Sequence, residues 1–500
     1  MAELRLFAGA LGNYQGKPSF RFRVDGWPTD YPCQGKDLLL LEPTSEQGSE
    51  QPTFSCLTPI FGYAGTDTHT VDLTRLEYDT QYTIRIKTNL SERLKFRTPP
   101  SQLLTSESCL LLGLFSCYFP SDEYYFNPFR IKLALDKRAK NQPAGYEISH
   151  VKIFCGDQIY ADVPAAFSNQ SPEDLYADRY SKAYSVSRLG LIVNQGANIF
   201  TCDDHEFWNG FPDFMPYLSR TFWDREKAAW TREGIRAFWR NSGVLNHVRQ
   251  DNPLQPTEHN RCWRAYRMAE VDFFIADTRS DRASKRVPEA HLFTNAQKTA
   301  LVNWVNGVER LGLLVLGQPI LLNPDPFDNV LSDYKEDYRL LINCLLDKVE
   351  HGVSFVILTG DIHWGRLMYW GPRKSPINNS HAKLVEFVSS PIARVGTTSI
   401  FGESYSVGKP ELTLLNPDSV EPLASFMRDR EFDTTKIFGT SVNNFGLMQL
   451  GKTSDNKLEA NFELWDIDRR SPELPDYAVN EWLHRWSGQV KNCRFERLLL

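Results

Sequence analysis

The 500-residue sequence predicts an α/β layered fold behind a β-rich leading segment. Three observations carry that reading. From about residue 105, short apolar runs alternate with amphipathic helical stretches, the grammar of strands and helices packed in layers. Before that point, turn-bounded runs such as "SFRFRV", "LLLLEP" and "TQYTIRI" follow one another with no helical period. Finally, four of the later apolar runs end in groups that bind metals or move protons, and strand ends are where open α/β sheets bind ligands.

The leading segment comes first. In "DLTRLEYDTQYTIRIKTNLSERLKFRTPP" a Leu precedes Tyr82, which opens a strand. A turn at Asn89 and a last strand closing on "FRTPP" follow. This suits a small β-sandwich of the fibronectin type III kind over residues 1–103, with Pro99 and Pro100 marking its end. Residues 104–475 read as one catalytic domain and 476–500 as a C-terminal extension.

Within 104–475 the predicted strands are "CLLLGLFS" (109–116), "VKIFC" (151–155), "NIFTC" (198–202), "VDFFIA" (271–276), "LLVLG" (313–317), "SFVILT" (354–359) and "LVEFVS" (384–389). Helices lie between them. "SPEDLYADRYSKAYSVSRL" has Ser171 as N-cap, Pro172 at the first position and acids in the first turn. "TNAQKTALVNWVNGV" and "DYKEDYRLLINCLLDKVEHG" are the next two, the second ending at Gly352. "FGLMQLGK" and "EANFELWDI" form a strand pair that closes the core. Residues 391–444 lack a clear period and read as long loops over the site.

Bulk composition narrows the function. With 41% hydrophobic and 24% charged residues the chain can bury a large core. A net charge of -6 leaves no electrostatic footprint for nucleic acid or anionic membrane. The nine cysteines are odd in number and show no paired CxxC spacing, so neither a disulfide framework nor a structural zinc site is expected. No run of about 18 apolar residues occurs, so no transmembrane helix is expected. "MAELRLFAGALGNYQG" lacks a signal-peptide pattern, which points to the cytoplasm, with a secreted form as the alternative if a signal was removed. Oligomeric state is not legible.

The strand ends supply the chemistry. Cys117 follows the first run; Gly156, Asp157 and Tyr160 follow the second. Asp203, Asp204, His205, Glu206 and then Asn209 follow the third, in "TCDDHEFWNG". Asp361 and His363 follow the sixth, in "LTGDIHWGR". A thiolate (Cys117), a phenolate (Tyr160), an imidazole (His363) and a carboxylate (Asp157) are a donor set for one ion. Softness and charge favour ferric iron, with zinc next. A second ion could share Asp157 and take Asn209 and Asp361, an all-oxygen set that suits calcium, magnesium or manganese. Two ions bridged by a carboxylate are the geometry of metal-assisted hydrolysis at phosphorus, with a metal-activated water as nucleophile. His205 then reads as general acid for the leaving alcohol or as a donor to the phosphoryl oxygens. Asp203 and Glu206 would orient it or shape the loop. Asp204 is a further ligand or a partner that holds one.

"GDQIYAD", "DDHE…N" and "GDIHWG", preceded by "SC", resemble the PhoD-like phosphatases, the alkaline phosphatase D branch of the calcineurin-like metallophosphatases. "FFIADTRSDR" (273–282), "SSPIAR" (389–394) and the fibronectin-like segment are similar too, so the likeness runs from about 60 to 470. It implies a metallophosphatase-type β-sandwich flanked by helices and hydrolysis of phosphate monoesters and diesters by a binuclear centre. It also implies Fe3+ beside Ca2+, with Zn2+, Mn2+ or Mg2+ as alternatives. Cys117, Asp157, Tyr160 and His363 would match the iron ligands, and Asp157, Asn209 and Asp361 the calcium ligands. Some members carry Arg after the bridging Asp, where it holds phosphate; here that position is Gln158. Arg279, Arg282, Arg366 and Arg394 are then candidates for the clamp, with Arg279 preferred because it follows a strand end. The expected partner is a small phosphate ester.

Plainer readings compete for each residue. A single Asp–Tyr pair is ordinarily a turn acid and a buried phenol, and a single Cys is ordinarily a small core residue. Asn209 could cap a turn, and Asp277 could pair with Arg279 or Arg282 as scaffold. "CYFPSDEYYFNPF" (117–129) reads as packing near the site mouth, with substrate-stacking by Tyr124 or Tyr125 a lesser reading. Cys155 and Cys202 read as inert, and His69, His150, His259 and His484 as surface or satisfied core residues. The alternative at the level of function is a non-catalytic binding protein that keeps a metal for structure; the presence of His205 argues for an enzyme. A mononuclear redox iron site would need a second His at a neighbouring strand end, and none is evident.

Overall fold

The computed structural model describes residues 4–27, 33–41, 52–56, 60–61, 67–103, 109–120, 126–140, 149–163, 170–215, 218–251, 262–322, 329–372, 382–393, 432–440, 442–467 and 493–500. It is a mixed α/β chain, rich in strands, with few helices.

The leading segment holds β1 (Arg5–Tyr14), β2 (Lys17–Trp27), β3 (Leu38–Leu41), β4 (Thr53–Cys56), β5 (Ile60–Phe61), β6 (Asp67–Thr74), β7 (Gln81–Ile86) and β8 (Asn89–Arg97). They form two antiparallel sheets, β1-β2-β6-β4 with β5 beside β6, and β3-β7-β8. The alternation in "QYTIRI" puts Tyr82, Ile84 and Ile86 inside, as period-2 patterning requires. Tyr82 packs on Phe96 and its hydroxyl accepts from the Glu77 N–H at 2.9 Å.

The remainder adds β9 (Leu110–Phe115), α1 (Asn127–Lys140), β10 (Val151–Cys155), α2 (Pro172–Ala183), α3 (Gly190–Val193), β11 (Ala197–Thr201), α4 (Asp224–Asn241), β12 (Arg264–Met268) and β13 (Val271–Ile275). Then come α5 (Asn295–Gly307), β14 (Leu311–Val315), α6 (Lys335–Glu350), β15 (Ser354–Thr359), β16 (Gly365–Pro372), β17 (Leu384–Val388), β18 (Phe432–Thr440), β19 (Asn444–Lys452), β20 (Leu458–Asp466) and β21 (Cys493–Leu499). One sheet runs β11-β10-β9-β19-β20-β21; the other runs β12-β13-β14-β15-β17-β16-β18. β9, β10 and β11 are mutually parallel, as are β13, β14, β15 and β17.

The two sheets face each other and helices cover their outer sides. Period 2 sorts the side chains. Ile153 and Cys155 of β10 join Val356 and Leu358 of β15 in the core between the sheets. Phe154, between them in sequence, turns outward to meet Phe115, Phe200 and residues of α2 and α4. On the other sheet Phe274, Phe355 and Ile357 turn outward against α5 and α6. Strands buried on both faces have no polar side to show, which is why they read as solid apolar runs. Burying each such side chain contributes about 1.5–3 kcal/mol. The inner core continues without interruption into Leu6, Phe22 and Val71 of the leading sheets.

Most predicted elements are present within a residue or two. Ser171 caps α2 by accepting from the Asp174 N–H at 3.2 Å, and α6 stops before Gly352, whose φ is +89°. β19 and β20 pair antiparallel as expected. α1, α4, β16 and β18 go beyond the sequence reading. α4 has an apolar inner strip of only Gly234, Ala237 and Phe238 among many charges. β18 lies in the stretch read as loops; as the edge of its sheet it needs no strong alternation. The rest of that stretch, 394–431, lies outside the described residues, as do Tyr124, Tyr125, His259 and His484. No helix among the described residues is long and apolar enough to cross a membrane.

Candidate metal centre

The parallel strands of both sheets end on one side of the molecule, so their following loops meet there. Two glycines make the approach close. A Cβ on Gly156 would lie 2.3 Å from the Asp203 Cβ, and one on Gly360 would lie 2.3 Å from Ser116. Gly156 also has φ +81°.

Four residues in these loops are strained. Cys117, Asp157, Asp361 and His363 have φ of 54°, 54°, 70° and 51°. Each such conformation costs a non-glycine residue about 1–3 kcal/mol, and outliers of this kind gather at functional sites. All four stand in the predicted ligand set.

The side chains meet as follows. Cys117 Sγ lies 3.3 Å from Asp157 Oδ2 and 3.4 Å from the Asp361 carbonyl oxygen. Tyr160 Oη lies 3.0 Å from His363 Nε2. Donor spacings of this size match edges of a coordination shell with bonds of about 2.0–2.3 Å. Carboxylate oxygens of Asp157, Asp203, Asp204 and Asp361 lie within 4.8 Å of one another, and Asp157, Asp204 and His205 form a second such group. Cys117 joins these groups through Asp157, and His363 meets Tyr160, whose ring packs against His205. Asn209, half-buried, donates its backbone N–H to Asp162 Oδ2 at 3.0 Å.

The acids of "DDHE" divide by environment. Glu206 accepts from the N–H groups of Asp157, Gln158, Ile159 and Asp203 and so ties two loops together. Burial, only partly offset by those N–H groups, pushes its pKa up to about 8. Asp203 Oδ2 and Asp204 Oδ1 are buried with no hydrogen-bond partner among the described residues. Such atoms are costly in a protein interior and are the atoms a cation would satisfy. Burial raises the Asp157 carboxyl well above the usual range, and Asp204, Asp203 and Glu206 add to the rise against the opposing pull of His205. Burial likewise raises the Cys117 thiol and the Tyr160 phenol. A cation among them reverses these directions, because the thiolate, phenolate and carboxylate are the ligand forms. The donor set therefore fits metal.

His205 stacks on the Tyr160 ring at 4.1 Å between centroids, and its Nδ1 lies 2.8 Å from Asp162 Oδ1. Burial alone would depress the imidazole; Asp162, Asp204 and Asp157 outweigh it and hold its pKa well above the usual value.

Gln158 and the arginines face inward. Gln158, 2% exposed, donates to the Thr201 carbonyl at 2.9 Å. Arg279 is fully buried; its Nε meets Asp203 Oδ1 at 2.5 Å, its Nη1 donates to the Phe211 carbonyl, and its Nη2 lies 4.0 Å from Asp204 Oδ1. A phosphate reaching it would have to displace a carboxylate. Arg282 donates to Thr278, Asn329 and Gln318, and Arg366 is paired with Glu386. Arg394 lies outside the described residues. Asp277 accepts from the Arg279 and Ser280 N–H groups, shaping its turn.

Three participants escaped the sequence reading. Asp162, which holds both His205 and Asn209, closes the "GDQIYAD" motif. Gln318 follows β14 and donates to Asp361 Oδ2 at 3.1 Å; the strand-end rule, applied to "LLVLG", would have found it. Ser390 donates to Cys117 Sγ at 3.1 Å and accepts from the His363 N–H at 3.0 Å, and it sits in "SSPIAR".

The profile of one family, the PhoD-like phosphatases, matches residues 141–419, more than half of the chain. The chain belongs to this family. Asp157, Tyr160, His205, Asn209, Asp361 and His363 all fall inside the matched span of the PhoD-like phosphatase; Cys117, on β9's exit, precedes it. The family hydrolyses phosphate esters with metal, and the acidic group of this PhoD-like phosphatase is a candidate site for that metal. No curated protein matches the chain.

Proposed function

We propose that this chain is a phosphomonoesterase or phosphodiesterase with a binuclear centre, in which Cys117, Asp157, Tyr160 and His363 hold Fe3+ and Asp157, Asn209 and Asp361 hold Ca2+. Zn2+, Mn2+ or Mg2+ are the alternatives. The observation that carries the reading is the convergence of four carboxylates, three buried and Asp361 half-buried, two with oxygens lacking a hydrogen-bond partner among the described residues, at the ends of strands from two sheets. Four acids so close, with one guanidinium and one imidazole beside them, call for further cations before all can ionise. When bound, the metal supplies Lewis acidity toward phosphoryl oxygens and activates water near neutral pH.

The chain's own groups do the rest. Asp162 holds the Nδ1–H of His205, so proton transfer to the leaving alcohol falls to Nε2. Asp204, anchored by the Gly210 N–H at 2.8 Å, adds to the pull of Asp162 that holds the His205 pKa up and stands ready as a further ligand. Arg279 fixes Asp203 and Asp204 in place from beneath, and contact of Arg279 or Gln158 with substrate would require their present partners to yield. We also propose that residues 1–103 are a fibronectin type III-like module, 104–475 the catalytic domain and 476–500 an extension whose β21 returns to pair with β20 at the edge of the catalytic sheet. The Tyr82 hydroxyl bond to the Glu77 N–H supports the first of these.

Hydrolysis of p-nitrophenyl phosphate and its bis ester, with iron and calcium supplied, tests the function. Wild type should turn over at least one, and His205→Ala should lose about 10²–10⁴-fold in kcat. A wild-type protein inert with every metal would leave the structural-metal reading instead.

A further inference from the structure

Arg282, read from the sequence as a possible phosphate clamp, is buried and has every guanidinium nitrogen committed. Its Nε donates to the Thr278 carbonyl at 2.7 Å and closes its own turn. Its Nη1 donates to the Asn329 carbonyl at 2.5 Å, and its Nη2 to Gln318 Oε1 at 2.9 Å. The Tyr334 ring lies against the guanidinium, 5.3 Å from centroid to carbon. What Gln318 and Asn329 touch next gives Arg282 a different use.

Gln318 is the first arm. β14 and β15 are parallel with Val315 opposite Leu358, and just past them the Gly360 N–H donates to the Gly317 carbonyl at 3.1 Å. Continuing both chains in step brings Gln318 beside Asp361. Gln318 is fully buried; its Oε1 accepts from Arg282 and its Nε2 donates to Asp361 Oδ2 at 3.1 Å. A guanidinium has donors only, so the amide oxygen must face Arg282 and the amide N–H groups must face Asp361. Turning the amide would break a charge-assisted bond in a buried place. Arg282 thus sets how Asp361 is held.

Asn329 is the second arm. Its carbonyl accepts from Arg282, and its Nδ2 donates to the Gly210 carbonyl at 2.6 Å. The Gly210 N–H donates to Asp204 Oδ2 at 2.8 Å. The residue that follows Asn209 is therefore pinned on both sides, at φ +70°. The two arms end at Asp361 and beside Asn209, which lie on separate loops and are both assigned above to the divalent ion. Cys117 and His363, assigned to the other ion, are braced by Ser390.

We propose that Arg282 is a positioning residue for the divalent metal alone: through Gln318 and Asn329 its guanidinium fixes Asp361 and the Asn209–Gly210 peptide as one unit. The proposal rests on the binuclear reading, and its test counts metals rather than turnover. The full chain loaded with Fe3+ is titrated by calorimetry with Ca2+, and in parallel with Mn2+ and Mg2+, while mass spectrometry counts the iron. Gln318→Met keeps the volume and loses the donor to Asp361. Arg282→Lys keeps the charge and loses the fork. Each should weaken the divalent ion by about 10–100-fold, the usual cost of removing a group that orients a ligand, with iron content unchanged. Retained iron is the internal control, since an unfolded chain would lose both ions. Where Arg282→Lys yields no folded protein, Gln318→Met decides, because it leaves the guanidinium in place. Wild-type divalent affinity in either folded variant, or iron lost in parallel, overturns the role of Arg282. A wild type that takes up iron but no divalent ion overturns the binuclear reading itself, so the two failures are told apart.

Discussion

Two acidic regions lie along β15, one beside Ile357 in its middle and one just past its end, and they are built in opposite ways. Glu386 on β17 meets Arg366 of the adjacent β16 through Nε at 3.1 Å and Nη2 at 2.6 Å. Its other oxygen accepts from the Ile320 and Leu321 N–H groups. That carboxylate is complete. Asp157, Asp203, Asp204 and Asp361 crowd together with Arg279 and His205 as their nearby cations, and two of their oxygens have no hydrogen-bond partner among the described residues. The first region is closed by the chain itself. The second is closed only when something positive arrives. Burial of an acid therefore says nothing about role; the state of its lone pairs does.

The largest effect that would test this contrast is on activity. Asp157→Asn should lower kcat on a phosphate ester by at least about 10³-fold, roughly 4 kcal/mol. In chelator-treated protein the same change should leave the thermal midpoint level or higher, since it removes a repelling charge. A large drop in that midpoint would mean that Asp157 is scaffold, like Glu386.

Next comes the closed pair. Glu386→Gln should cost about 3–5 kcal/mol, because it leaves a buried guanidinium uncompensated, and Arg366→Met/Glu386→Leu together should recover most of it. Urea denaturation reads both. If Glu386→Gln proved as mild as Asp157→Asn in metal-free protein, the distinction between the regions would dissolve.

A smaller effect concerns Lys152, a third buried charge, with no partner acid among the described residues. It lies on β10 beneath α1 and α3, its Nζ without a hydrogen-bond partner among the described residues. Burial lowers its pKa from 10.5 to about 7. Between those values the unfolded chain binds the proton that the folded chain has released, so stability rises with pH. Raising pH from 7 to 8.5 should add about 1.5 kcal/mol from this group, and Lys152→Met should flatten the slope. An unchanged slope in the variant would show that Lys152 reaches water. On the acid side His150, whose Nδ1 accepts from the Leu111 N–H, has a pKa lowered by burial to about 3 and resists protonation. It costs stability as pH falls from the usual histidine range toward that value.

Much of the site was visible in the order of residues along the chain. A run such as "VKIFC" is apolar at every position but Lys152 because both of its faces are covered, and the residues just past such runs must share one edge of the sheets. That placed Cys117, Asp157, Asp204 and Asp361 near one another before any coordinate was known. The helices with a wide apolar face, α5 and α6, were equally plain. α4, whose inner strip is narrow, and the edge strand β18 were not, since their pattern is dominated by solvent-facing residues.

What the sequence determined by itself was therefore the set of strand ends, the family motifs and the kinds of donor they carry. What only the tertiary structure decided was how each donor is used. Nothing in "DDHE" says that Glu206 is filled by four backbone N–H groups while Asp204 keeps an oxygen unmatched. Nothing in "TRSDR" says that Arg279 spends its guanidinium beneath the acids. Local sequence sets which groups reach a strand's end; several of their hydrogen-bond partners come from residues 40 to 273 positions away, and only packing chooses among them.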